Sequence, residues 1–187
     1  MAAGLKQKSR APNLAVSPYL SAVNQKLLYA EQLLKYMDTD GADHNRYLSE
    51  AIAQSVTLQL YQAWNWHIKD VAYHYKLNEP STIDNVHDLV RALSEQGKTP
   101  SEATEIHNLT SEAESWVGQL LNAYHQLSEL PKVRKAEMDV DRLPVIAIEG
   151  NSNYAGKPFE WCIMDVMDWK QQMEELLERQ REMMIEY

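Results

Sequence analysis

Apolar residues recur along most of this chain at alternating spacings of three and four, the period of an amphipathic helix. Leu20, Val23, Leu27, Ala30, Leu34 and Met37 make the first such stripe. Ser17-Pro18 opens it, a cap followed by proline at the first helical position, and Asp40-Gly41 stops it. A second helix is predicted from near Asp43 to Leu77, roughly 50 Å long at about 1.5 Å per residue. Its apolar residues, among them Leu48, Ile52, Val56, Leu60, Trp64, Trp66, Ile68 and Tyr75, surround most of the axis. Such a helix belongs at the centre of a bundle. Asn78-Glu79-Pro80 ends it, because proline disfavours helical geometry in the residue before it.

Ser81 with Asp84 resembles a capping pattern for a short third helix carrying Ile83, Val86, Leu89, Val90 and Leu93, which Gly97 terminates. Thr99-Pro100 with Glu102 is the strongest helix start in the chain. Ile106, Thr110, Ala113, Val117, Leu120, Tyr124 and Leu127 continue this fourth helix to about Pro131. Glycine is scarce, and of its six occurrences only Gly118 falls inside a predicted helix. A last helix runs from about Phe159 to the C-terminus. Val166, Trp169, Met173, Leu176, Gln180, Met183 and Tyr187 form its narrow seam, with Gln180 the single polar member.

Two segments break the pattern. Residues 1–16 have no sustained period and read as a disordered tail. Residues 131–158 contain a short apolar, β-branched run at Leu143–Ile148 and a turn at Gly150–Asn153. One isolated strand has no partner, so an irregular strap is expected there. The predicted fold is therefore all-α: an antiparallel bundle of about five helices, with the strap between the fourth and fifth. It occupies residues 17–187 as one domain.

Composition narrows the function classes. Hydrophobic residues make up 44% of the chain, enough for a full core. The net charge of −9 opposes nucleic-acid and anionic-membrane partners, which demand a basic footprint. No apolar run is long enough to span a bilayer. The single cysteine, Cys162, excludes an internal disulfide, fits a cytoplasmic setting, and is expected as a small buried hydrophobe.

Candidate chemistry is sparse. His67, Asp70 and His74 fall on one arc of the second helix and are the best metal-ligand candidates. Asp84-x-x-His87 is the only similar element, and the paired Glu-x-x-His set of a di-metal bundle is missing. The plainer expectation is a buried network with a histidine bonded to the aspartate, and no cofactor. Gly150–Pro158 has the wrong glycine spacing for a phosphate loop, and Pro158 stands where a hydroxyl must hold magnesium. Trp64 and Trp66, two residues apart, should point to opposite sides of their helix and meet different neighbours. A ligand cleft under the strap would use Arg142, Asn151, Asn153 and Tyr154. The leading reading is a non-enzymatic interaction or structural protein. Its partner is another protein or a second copy, and Trp169, Met173, Leu176, Met183 and Tyr187 are its candidate contact residues. The alternative is a helical metal-binding protein or enzyme using His67, Asp70 and His74 as ligands or acid-base groups.

Asn24-Gln25-Lys26-Leu27-Leu28-Tyr29-Ala30 in the first helix and Glu178-Arg179-Gln180-Arg181-Glu182-Met183-Met184-Ile185-Glu186-Tyr187 in the last are also informative. Together they resemble an uncharacterised family of small all-helical bacterial proteins, from roughly residue 20 to the end. The resemblance implies a bacterial cytoplasmic setting, and carries over no catalytic or binding residue.

Overall fold

A computed structural model describes residues 17–39, 46–130 and 159–185 of the chain. Among them are six α-helices and no strand: α1 (Pro18–Thr39), α2 (Arg46–His74), α3 (Val86–Glu95), α4 (Ser101–Ser111), α5 (Trp116–Gln126) and α6 (Ile163–Ile185). A short 3₁₀ turn at Pro80–Thr82 precedes α3. The predicted tail at 1–16 lies outside the described residues. So does the strap at 131–158, with Arg142, Asn151, Asn153 and Tyr154, and so does Tyr187.

The all-α bundle is what the periodicity demands. One apolar core draws on all six helices. α2 is its axis and touches every other helix, in keeping with apolar residues around most of its circumference. Val56, Leu60, Ala63 and Val71 are wholly buried along it. α1 lies antiparallel to α2 and packs chiefly on it. Tyr19, near the start of α1, stacks on Trp66, near the end of α2, with ring centres 6.0 Å apart. Trp64 points elsewhere and meets Trp116 of α5 edge-on at 5.7 Å. The two tryptophans thus serve different neighbours, as helical geometry requires.

Among the described residues there are six helices rather than five because the predicted fourth helix breaks between Ser111 and Trp116. Ser115 makes the corner. Its hydroxyl donates to the carbonyl of Leu109, near the end of α4, and accepts from the amide of Gly118, in the first turn of α5, at 2.9 Å. Gly118 allows the close approach. A Cβ there would lie 2.3 Å from the carbonyl oxygen of Glu112 and 2.7 Å from that of Ala113. A side chain cannot occupy that space without moving backbone.

α2 stops at His74, three residues before the predicted end. Lys76 adopts a left-handed conformation (φ 55), and the Leu77 amide returns to the Ala72 carbonyl at 3.0 Å. This is a helix-ending turn in which lysine takes the place usually given to glycine. α3 is capped by Asn85 rather than through Ser81 and Asp84. The Asn85 side chain accepts from the Asp88 amide at 3.0 Å and donates to the Asp88 carboxylate at 2.8 Å. Gly97 (φ 69) closes α3 as predicted.

The α6 seam packs inside this chain. Val166, Trp169, Met173, Leu176 and Gln180 are all buried, against α2, α5 and α1. Met183 is half-buried. Trp169, Met173 and Leu176 are therefore core side chains and leave nothing exposed for a partner to cover. Cys162 corrects another expectation. It is exposed, one residue ahead of α6, where the helix has not yet turned its stripe toward the core.

Candidate functional site

The most polar place in the core is where α2, α4 and α6 meet. His67 (1% exposed), Glu102 (2%) and Gln180 (0%) are buried there together. A buried polar group without a partner costs about 1–3 kcal/mol, so these side chains must satisfy one another. Gln180 is the hub. Its Nε2 donates to the Glu105 carboxylate at 2.9 Å and reaches toward the Glu102 carbonyl oxygen at 3.4 Å. With the amide nitrogen so occupied, Oε1 faces Nε2 of His67 at 2.8 Å. An oxygen only accepts, so the imidazole proton sits on Nε2. The Glu102 carboxylate accepts from the Tyr75 hydroxyl at 3.0 Å and from Ser101 at 3.2 Å. Arg179 pairs with the second oxygen of Glu105 at the solvent edge.

Nδ1 of His67 is buried and has no hydrogen-bond partner among the described residues. Burial pushes the imidazole's pKa below its ordinary value, with the Gln180 bond and the charge of Asp70 acting the other way. His67 is held neutral. Among the described residues His67 is almost wholly covered, at 1% exposure. The network's chemistry in this conformation is to lock three helices in register.

The three sequence-predicted metal candidates do not converge. His67 turns to Gln180 on α6. Asp70 is buried at 5% exposure and acts electrostatically on His67 and Arg181. His74 is half-buried, its ring edge-on to Tyr75 at 5.3 Å. Two turns of helix, about 10 Å, separate it from His67. Among the described residues no three His, Cys, Asp or Glu side chains form a group able to hold a metal. The buried network expected around this histidine does exist, but its partner is Gln180 rather than an aspartate. Glu102, Glu105 and Tyr75 belong to it unforeseen. The sequence carries two signals for it, His67 on a helix apolar nearly all round and Gln180, a lone amide in an apolar seam.

Beside the network, α1 and α6 enclose a groove of about 330 Å³, lined by Asn24, Leu27, Leu28, Glu31, Glu174, Leu177 and Arg181. Arg181 donates to Asn24 at 3.0 Å, while its buried Nε has no partner among the described residues. Both carboxylates in the groove are already paired, Glu31 with Lys35 and Glu174 with Lys170.

Fold and site together define a class: an all-α bundle organised on one central helix and cross-tied by a buried polar network. The chain belongs to the family of unknown function DUF6586, whose model matches residues 19–187. No curated protein and no solved structure matches it. The match begins one residue into α1, so it spans every helix described above.

Proposed function

We propose that this protein is a non-enzymatic interaction bundle that presents the outer surface of the α1–α2 hairpin to a protein partner or a second copy. One observation carries the reading. Leu28 (50% exposed), Tyr29 (44%), Leu58 (37%) and Tyr73 (44%) lie outward on these two helices while the inner faces are filled. Tyrosine and large apolar side chains in solvent are what the centre of a protein interface is made of. Trp169, Met173 and Leu176 of the α6 seam are buried in this chain's own core, which favours a different surface for the contact. No helix among the described residues is long and apolar enough to cross a membrane. The acidic charge of −9 supports a protein rather than a nucleic-acid partner, and the single cysteine supports the cytoplasm.

Native mass spectrometry and light scattering of the purified protein test the self-association form. Leu28→Glu and Leu58→Glu should abolish assembly and leave the monomer folded, because both side chains are partly in solvent. A monomeric wild type, or variants that assemble as the wild type does, would refute contact between copies through this surface.

A further inference from the structure

Outside the buried network, α3 and α4 bring two histidines together. His87 and His107 stand with ring centres 5.6 Å apart and planes at 82°. His87 is exposed and His107 half-buried. Neither ring makes a hydrogen bond among the described residues, so both nitrogens of each are available to a ligand. Neutral imidazole suits zinc, copper and nickel. Two imidazoles on one zinc have centres roughly 5–5.5 Å apart, given a Zn–N bond of about 2.0–2.1 Å, about 1.1 Å from nitrogen to ring centre, and a tetrahedral angle. The observed spacing is close to that value; the rings now meet edge to face, so the exposed His87 must turn to bring a nitrogen beside one of His107.

We propose that His87 and His107 form a two-histidine chelate for a divalent transition ion of the zinc type, clamping α3 to α4. Water completes the coordination, since no third His, Cys, Asp or Glu joins the pair among the described residues. This makes the site open and exchangeable, unlike a closed structural zinc site. Asp88, the carboxylate nearest His87 in sequence, is engaged by Asn85 and by Arg91 at 2.7 Å. Because the ion binds the folded chain across two helices, it stabilises the fold by an amount that grows with the logarithm of free ion concentration above the dissociation constant. The site stands apart from the α1–α2 surface, and its fate says nothing about that proposal.

The test is calorimetric titration of the full-length, untagged protein with zinc chloride, with thermal unfolding read alongside. The wild type should take up one ion per chain and melt at a higher temperature with zinc present. His87→Gln and His107→Gln should each lose the saturable event and the thermal shift. His125→Gln, at an exposed position on α5, should keep both. If His107→Gln lowers metal-free stability, His87→Gln decides alone, because its side chain is in solvent. No saturable uptake by the wild type, or uptake that survives His87→Gln, would overturn the proposal.

Discussion

His67 on α2 and Gln180 on α6 are 113 positions apart in the chain, and their side chains meet at 2.8 Å in the core. The contact is a hydrogen bond with fixed polarity. The Gln180 amide nitrogen is committed to α4, so its oxygen must serve the histidine. Breaking one side leaves the other buried and unpaired, which costs more than the bond itself is worth.

A double-mutant cycle tests this. Gln180→Leu alone should destabilise the fold by about 1–3 kcal/mol, because it strands the buried His67 N–H; Glu105 loses one donor but keeps Arg179. The pair His67→Leu with Gln180→Leu should cost less than the sum of the singles, by about 1 kcal/mol or more. Strictly additive denaturation free energies would show that the two side chains do not depend on each other.

The same histidine sets a pH dependence. Its folded-state pKa lies below the ordinary 6.5. As pH falls, the unfolded chain therefore takes up a proton before the folded one does. The stability is complete above pH 6.5 and declines below it, toward the depressed folded value, by at most about 1.4 kcal/mol per pH unit. His67→Gln should remove this slope below about pH 6.5. Glu31, which Lys35 holds below its ordinary 4.5, acts only in a lower window, so urea titrations at several pH values separate the two. An unchanged slope in His67→Gln would contradict a neutral buried imidazole.

Gly118→Ala should be severe for a surface corner. Its methyl group would meet two backbone carbonyls of the preceding turn, which cannot rotate away as a side chain can. Overpacking of this kind costs about 1–3 kcal/mol or more. Ser115→Ala should cost about 1 kcal/mol through the lost cap. If Gly118→Ala melts like the wild type, α4 and α5 form one continuous helix instead.

Met173 and Trp169 decide between core and contact. Both are buried within the chain, at 1% and 4% exposure. Met173→Ala should cost about 2–5 kcal/mol of monomer stability. A charge at either position should unfold the monomer rather than release a stable one. Folded, stable Met173→Glu protein with altered assembly would return the seam to the surface.

Lys76→Gly should stabilise the protein by about 0.5–1 kcal/mol, because glycine holds a left-handed conformation that strains lysine. Chemical denaturation measures it, and a loss of stability would place Lys76 in some contact that its exposed side chain does not show.

Much of this architecture is readable from residue spacing. The α1 stripe gives Val23, Leu27, Ala30 and Leu34 as core, and all four are buried. Trp64 and Trp66 diverge because a helix turns about 100° per residue. The break between α4 and α5 is not readable from the stripe, since Ile106 and Val117 keep nearly the right phase across it. Gly118, a lone glycine in a predicted helix, was its only local trace. The buried network was half visible. His67 and Gln180 each stood out as polar among apolar neighbours, but nothing local says that they meet.

Local rules account for what the chain alone determined. Period, caps and stop residues act within a few positions, so they dictate that the protein is helical and which face of each helix is apolar. Tertiary structure decided the rest. It buried the α6 seam in its own bundle, turned His67 toward Gln180 instead of Asp70, and set His87 beside His107. Those outcomes depend on which helix lies against which. That choice is made by burying whole faces at once, and no short stretch of sequence encodes it.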